Sequence, residues 1–382
     1  MSEANPPLET SEITEQEVKA KGGTNTFTRV AKYTAIRIIT LFFTVVVALY
    51  LTVLIANMGG KVDEIRRSQI REDVNMRVAN DKAMRSVSQE ARLTKINELV
   101  AIQEKRLGMD KPFILRSGQA LLSAITLDLG RANQMTSNSG STSVRTIILE
   151  RLPTTLLLFG VSTLLLFFSA MYFSLILSRK YGSFWDKILI GLTPLSAAPG
   201  WFYGIFLILI FAAIFKILPF SGMVDIPPPT NPFAYALSLG KHMVLPVTAL
   251  LISGIFIEIF AWRTFFLIYS SEDYVDMAKA KGLTSREIEQ KYILRPTLPT
   301  IITSFALLMI TIIVGGPIIE TLFVWPGIGR AEFQAISAFD TPVILGIVVV
   351  YAYLLAITVF ILDFVYAIVD PRVKIGASEN KS

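Results

Sequence analysis

One charged stretch separates the apolar segments of this chain: Glu272-Asp-Tyr-Val-Asp-Met-Ala-Lys-Ala-Lys-Gly282-Leu-Thr-Ser-Arg-Glu-Ile-Glu-Gln-Lys-Tyr-Ile-Leu-Arg295-Pro-Thr-Leu-Pro299. It carries ten charged residues and has long apolar segments on both sides. A charge at a bilayer centre costs roughly 2.5–3.5 kcal/mol, so burying all of them would cost on the order of tens of kcal/mol. The stretch must therefore lie in water or against another protein.

The first part of this stretch, residues 272–281, is suited to a short helix. Helical spacing places four residues on one face, Tyr274, Met277, Ala278 and Lys281. The next residue, Gly282, readily adopts a positive φ and predicts a left-handed cap at the end of the helix.

A second helix is predicted directly after the glycine. Thr284 and Glu287 have the spacing of a capping box. Pro296 and Pro299 are expected to close this second helix. A compact charged element of this kind, in a chain that is otherwise apolar, predicts a docking surface for another protein.

The composition of the whole chain indicates a membrane protein. Of its 382 residues, 52% are hydrophobic and 17% are charged, whereas soluble domains average about 25% charged residues. Cysteine is absent, which excludes disulfides, and the single histidine excludes multi-histidine metal sites. The net charge of +6 is scattered through loops, so it indicates membrane orientation and no nucleic-acid partner.

Six apolar runs are long enough to cross a bilayer, which predicts an all-α membrane protein with six transmembrane helices. The third run is interrupted by Pro194 and by Ala198-Pro-Gly, which predicts a break. The runs lie at about 34–57, 153–178, 188–217, 243–268, 300–323 and 342–368.

Charges in the short loops predict the orientation of the chain. The 179–187 loop and the tail after 370 are rich in Lys and Arg, which marks the cytoplasmic side. Both termini and the charged stretch then lie in the cytoplasm. The resulting division is a cytoplasmic polar tail (1–32), a first transmembrane helix (33–58), an extracytoplasmic helical insertion and loop (59–150), a five-helix transmembrane core (151–370) containing a cytoplasmic loop at 272–295, and a cytoplasmic tail (371–382).

Residues 61–107 contain neither glycine nor proline, and their apolar residues recur at helical spacings. One or two long amphipathic helices are predicted, with a bend near Asn80-Asp81. Two interpretations stay open at this point. The insertion is either a solvated elaboration without a specific partner or a contact surface for a protein on that side of the membrane.

The residues needed for self-sufficient catalysis are missing. No Gly-x-x-x-x-Gly-Lys-Ser/Thr loop occurs, so the chain is not expected to bind ATP itself. Gly327-Ile-Gly329 is interpreted as a tight turn, and His242 as a polar residue at the membrane interface. Glu258 and Arg263 are expected to face the bundle or the far interface, because lipid would disfavour their charge. We therefore predict no catalytic, metal or cofactor-binding residue and no enzymatic activity.

Several motifs, in the same order, resemble those of permease subunits of binding-protein-dependent ABC importers, in the dipeptide, oligopeptide and nickel branch. The stretch from Asp273 to Pro299 resembles their "EAA" coupling loop. The other matching segments are Leu107-Gly-Met-Asp-Lys-Pro112, Leu127-Asp-Leu-Gly-Arg131, Ile148-Leu-Glu-Arg-Leu-Pro-Thr154, Glu320-Thr-Leu-Phe-Val-Trp-Pro-Gly-Ile-Gly-Arg330 and Asp363 to Arg372. The long insertion after the first span and the missing Pro-Gly-Asp-Pro element depart from the branch.

The resemblance implies a type I importer fold in a prokaryotic plasma membrane. It implies a second homologous permease, two ATP-binding cassette subunits that hold ATP and Mg, and an extracytoplasmic solute-binding protein as partners, with membrane lipid around the spans. The implied ATPase-coupling residues are Tyr274, Met277, Ala278, Ala280, Lys281, Gly282, Leu283 and Thr284. The implied structural motif residues are Glu320, Trp325, Pro326, Gly327, Gly329, Arg330, Asp363, Asp370, Pro371 and Arg372.

The substrate stays open at the level of sequence. The branch implies an oligopeptide, while oligosaccharides and nickel chelates use permeases of the same type. A non-transporting membrane scaffold or sensor that uses this fold is the alternative from another functional class.

Overall fold

The computed structural model describes residues 26–58, 61–84, 87–106 and 108–369, and these residues are largely helical. Outside the described residues lie most of the N-terminal tail, Gly59-Gly60 and the C-terminal tail with Asp370, Pro371 and Arg372. The helices are α1 (Thr26–Met58), α2 (Lys61–Asn80), α3 (Gln89–Arg106), α4 (Phe113–Ile125), α5 (Val144–Arg179), α6 (Phe184–Leu192), α7 (Gly200–Leu207), α8 (Pro232–Ser270), α9 (Asp273–Ala280), α10 (Ser285–Ile288), α11 (Arg295–Val314), α12 (Pro317–Leu322), α13 (Ile328–Ser337) and α14 (Thr341–Val369).

The prediction of an all-α membrane protein is confirmed. In the described part of the chain, five helices are long and apolar enough to cross a membrane, and a bent pair makes a sixth candidate. The bent pair is Phe184–Ala197 with Gly200–Ile214, at an angle of 96°. Its break falls at Ala198-Pro199, where the sequence predicts one, because proline cannot donate the backbone hydrogen bond that would continue the helix.

The predicted fifth span, 300–323, is wrong at both ends. A π-helical segment, Glu289–Leu294, joins α10 directly to α11. Pro296 therefore lies in the first turn of α11, where a missing N–H is tolerated, and Pro299 lies inside α11, so neither proline closes the preceding helix. At its other end α11 stops before Gly315, whose φ of 66° breaks the helix.

The insertion after α1 contains the predicted pair of helices. α2 ends at Asn80, close to the expected bend, and α3 runs back along it. One face of each helix is apolar and packs against the other. The buried residues of this small core are Ile70, Val74, Val78, Val100 and Met109.

An ion pair joins the first and last spans. Arg37 Nη2 donates a hydrogen bond to Asp363 Oδ1 at 3.0 Å, and its Nε donates to Oδ2 of the same carboxylate. Leu49 and Val349 pack together further along the two helices. The end of α1 therefore lies beside the start of α14, and the two spans are antiparallel.

Replacing Asp363 with Asn is expected to lower the free energy of unfolding by about 1–3 kcal/mol, because it leaves a half-buried guanidinium without its counter-ion. The measurement is the melting temperature of the chain purified in detergent. Arg37→Gln should have a similar effect, and the double variant should lose little more than either single variant. Fully additive losses would contradict a direct contribution from this pair.

Candidate functional site

The 272–295 loop forms a helix that ends at a glycine corner. Gly282 has a φ of +75° and follows α9. Its N–H donates to the carbonyl of Lys279 at 2.9 Å, and the Leu283 N–H donates to the carbonyl of Ala278 at 3.3 Å. This pair of bonds satisfies the last carbonyls of the helix in the Schellman arrangement. The predicted left-handed cap is confirmed.

The predicted capping box is also confirmed. The Glu287 N–H donates to Thr284 Oγ1 at 3.3 Å, and the Thr284 N–H donates to Glu287 Oε2 at 3.2 Å. These reciprocal bonds satisfy free backbone donors at the start of α10. The chain direction is therefore fixed on both sides of Gly282 by hydrogen bonds that backbone N–H groups donate.

One side of the 272–295 loop is fixed to the membrane bundle. Val275 and Ala278 of α9 are 1% and 2% exposed, and Ile288 of α10 is also buried. They pack in one apolar cluster with side chains of α5, α6 and α8. The Glu289 carboxylate adds an ion pair with Arg179 Nη1, at the end of α5, with an N–O distance of 2.9 Å.

This packing corrects the predicted helical face. The sequence placed Met277 and Ala278 on one surface for a partner, whereas Ala278 faces the bundle and Met277 is 59% exposed. Val275 takes the inner position because it lies three residues before Ala278, on the same side of α9. Tyr274 is half-buried and packs against the same inner cluster.

The opposite side of the loop is open. Among the residues predicted to couple to an ATPase, those that remain exposed are Met277, Ala280, Lys281, Gly282 and Thr284, while Leu283 is half-buried. A Cβ placed on Gly282 would meet no described atom within 4 Å. The corner therefore presents a bare backbone turn, the small Ala280 and the apolar Met277, together with the charged Lys281.

A buried ion pair supports the bundle behind this loop. Arg263 of α8 donates from Nη2 to Asp186 Oδ2 at 2.5 Å and from Nε to Oδ1. The Gly182 N–H donates to the same carboxylate at 2.8 Å, and the guanidinium lies 5.1 Å from the Tyr181 ring centroid. The expectation that Arg263 faces the bundle is confirmed. Burial of its partner Asp186 was not predicted, because an aspartate among the basic residues of the 179–187 loop is expected to be exposed.

The two other polar residues noted in the spans lie apart from the 272–295 loop. Glu258 is half-buried in a groove of about 360 Å³ beside Trp262 and Ser304. His242 of α8 is buried, and its Nδ1 lies 2.9 Å from the Ser238 carbonyl oxygen one turn earlier. Among the described residues, no three His, Asp or Glu side chains are grouped so that they could hold a metal.

At the opposite end of the bundle, the motif at residues 320–330 folds around the buried carboxylate of Glu320. Glu320 is fully buried, and its Oε1 accepts a hydrogen bond from the Thr155 hydroxyl at 2.7 Å. Its Oε2 accepts from the Arg330 N–H at 2.9 Å. Thr155 also accepts from the Ile328 N–H at 2.7 Å, so it bridges both sides of the motif. The motif recognised in the sequence ends at the neighbouring Thr154, and no pattern in the sequence indicates the role of Thr155.

The remaining motif residues pack around this centre. Trp325 is fully buried and donates from Nε1 to the Thr154 carbonyl at 2.9 Å. The Thr154 hydroxyl donates to the Pro326 carbonyl at 2.6 Å. A Cβ on Gly327 would lie 2.3 Å from Glu320 Oε2, and one on Gly329 would lie 2.8 Å from the Pro317 nitrogen. Both glycines are therefore required by close approach.

Comparisons with known proteins agree on one family. Residues 170–375 match the model described as "Binding-protein-dependent transport system inner membrane component". The chain is similar to the oligopeptide transport system permease protein AppB of Bacillus subtilis, with 31% identity over 61% of this chain and 73% of that protein. It is also similar to the dipeptide transport system permease protein DppB of the same organism, with 30% identity over 70% and 81%.

Two further matches extend this comparison. The di/tripeptide transport system permease protein DppB of Pseudomonas aeruginosa is 29% identical over 70% of this chain and 83% of that protein. A solved inward-facing structure of the MetNI methionine ABC transporter matches with a TM-score of 0.46 and 14% identity, over 59% of this chain and 96% of that one.

Proposed function

Because this chain belongs to the family of binding-protein-dependent transport system inner membrane components, and is thus a permease subunit of an ABC importer, we propose that it carries oligopeptides and is driven through its 272–295 loop. The proposal that the subunit is driven through the 272–295 loop rests on the difference between the two sides of this loop. One side is packed into the bundle, and the other side exposes Met277 and the Gly282 corner.

Peptides are proposed as the substrate on the basis of the relatives. The curated proteins with the matches given above are described as oligopeptide, dipeptide or di/tripeptide permeases. No feature of the described residues favours an oligosaccharide or a nickel chelate. The direct test is to identify the ligand that the cognate solute-binding protein holds, and a sugar or a metal chelate would contradict the proposal.

The proposed assembly contains subunits that this chain needs for energy and delivery. Two ATP-binding cassette subunits would bind ATP and Mg on the side of the 272–295 loop, with both termini of this chain in the cytoplasm. A second permease would complete the pathway, and a solute-binding protein would dock at the opposite end. A scaffold or sensor would instead purify without ATPase chains and a second permease, so co-purification distinguishes the two.

Docking through the 272–295 loop is supported by its exposed shape. Met277 is an apolar side chain that water disfavours, and Ala280 and Gly282 beside it let a second backbone approach closely. The inner side is held by Val275, Ala278 and Ile288, so a force on the corner acts on the bundle. We propose that ATP-driven movement of the partner displaces the bundle through these contacts.

Gly282→Asp is expected to abolish uptake while leaving the subunit in the membrane, because it places a charged side chain on the docking corner. The measurement compares transport and ATP hydrolysis in proteoliposomes containing the whole importer. ATP hydrolysis should become independent of the solute-binding protein. Normal uptake by the variant would contradict the docking proposal.

Two control variants separate docking from backbone strain. Gly140→Asp introduces the same side chain at a positive φ of 80°, also with no described atom within 4 Å of the added Cβ, but at the other end of the bundle. Gly282→Asn keeps the shape of the aspartate without its charge, and both residues tolerate the left-handed conformation. Gly140→Asp should reach the membrane in the normal amount, which tests whether the chain tolerates aspartate at a positive φ, and Gly282→Asn should retain more transport than Gly282→Asp.

A further inference from the structure

A cavity of about 270 Å³ lies between α1, α4 and α14. Its walls include Leu49 and Val53 of α1, Ala124 of α4 and Val349 of α14. Arg66, from the first turns of α2, also lines it. The cavity lies near the end of α1 and the start of α14, which is the end of the bundle opposite the 272–295 loop.

The position of the cavity along the spans corresponds to the headgroup region of a bilayer. Leu49 and Val53 lie in the last turns of the candidate span Ala31–Ile55. The neighbouring helix α4 exposes Leu115 and Leu122, by 58% and 63% respectively, although it follows a polar insertion. A helix with exposed leucines beside the ends of two spans is typical of one that lies in the membrane interface. This position is where a lipid headgroup is expected beside the spans.

Arg66 brings a positive charge to this cavity without a counter-ion of its own. Its side chain is half-buried, and no hydrogen bond or ion pair to it occurs among the described residues. Asp63, three residues earlier in α2, is already paired with Arg116, whose Nη1 and Nη2 lie 2.8 and 2.7 Å from the two carboxylate oxygens. Burial lowers the pKa of Arg66, and the charge of Asp63 offsets part of this effect while that of Arg116 adds to it.

A second arginine lies at the same cavity. Arg131 is exposed, and no ion pair to it occurs in the described ranges. The one acidic residue of the lining, Asp128, is exposed and likewise makes no ion pair with a described residue. The cavity thus combines apolar walls with an excess of positive charge.

We propose that this cavity binds an anionic phospholipid, with its phosphate at Arg66 and Arg131 and an acyl chain along Leu49 and Val53. A guanidinium donates two parallel hydrogen bonds to a phosphate, which suits it to this headgroup. The apolar walls and the depth in the bilayer favour a lipid over a soluble phosphate. Binding of this lipid would hold α1 and α14 against the insertion.

The test is native mass spectrometry of the full-length chain, purified in detergent and titrated with dioleoyl phosphatidylglycerol or, separately, with zwitterionic dioleoyl phosphatidylcholine. Arg66→Gln should weaken binding of phosphatidylglycerol about tenfold, because it removes charge-assisted hydrogen bonds. Arg131→Gln, at an exposed position where loss of folding is not expected, should weaken binding several-fold. Neither change should alter binding of phosphatidylcholine.

The matched control is Arg71→Gln, which removes the same charge from an exposed position of the same helix. It should leave binding unchanged, and an equal loss in this variant would overturn the proposal. Competition by soluble glycerol 3-phosphate at concentrations similar to those of the lipid would also overturn it, in favour of a soluble phosphate site. The readout is lipid binding, so its outcome is independent of whether the importer carries peptides.

Discussion

Gly327→Ala is expected to prevent the chain from accumulating as a folded membrane protein. The added methyl would lie 2.3 Å from a carboxylate oxygen of Glu320, far inside van der Waals contact. The carboxylate cannot turn away without breaking its hydrogen bonds from Thr155 and Arg330. Overpacking of this kind, with loss of buried hydrogen bonds, should lower the free energy of unfolding by about 3 kcal/mol or more.

This result can be measured as the amount of monodisperse protein after detergent extraction and as its melting temperature. The backbone of Gly327 has an ordinary φ of −100°, so any loss comes from the clash and not from the backbone. Gly118→Ala, in α4, is the control, because a Cβ there meets nothing within 4 Å and alanine favours a helix. If both variants behave alike, the Glu320 centre does not require a glycine.

Asp186→Asn is expected to lower the free energy of unfolding by about 3–5 kcal/mol, since it leaves the buried Arg263 guanidinium without a counter-ion. Both side chains are almost fully buried, with 2% exposure for Asp186 and 5% for Arg263. The amide that replaces the carboxylate has one oxygen to accept hydrogen bonds, whereas the carboxylate receives three from Arg263 and Gly182. The measurement is again the melting temperature in detergent.

Lys187→Gln is the matched control for this variant. Lys187 is the next residue in α6, is exposed and has no ion pair among the described residues, so its loss should have little effect. The double change Asp186→Leu with Arg263→Met should recover part of the stability, because two apolar side chains replace a pair that costs desolvation. A double variant less stable than Asp186→Asn would contradict this explanation.

Local signals in the sequence predicted local structure well. Thr284 and Glu287 gave the capping box, and Gly282 gave the left-handed cap, because both depend on atoms a few residues apart. Runs of apolar residues gave the spans for the same reason. The break in the third span followed from Pro199, whose ring has no N–H to continue a helix.

Contacts that depend on tertiary packing could not be predicted from local patterns in the sequence. Helical spacing alone does not tell which side of α9 meets the bundle, so it groups the exposed Met277 with the buried Ala278. Thr155 and Glu320 are 165 positions apart, and no periodicity joins them. The end of α11 at Gly315 was missed because the apolar run continues beyond it.

The contacts of the 272–295 loop also determine how stiff it is. Its inner residues touch three helices at once, and the Glu289–Arg179 pair ties it to the end of α5. Protein interiors are close-packed and compress little, so a displacement at the glycine corner is passed on with little local yielding. We therefore expect a force on the corner to move the ends of α5 and α8 together with the loop, because bending the loop would break this packing.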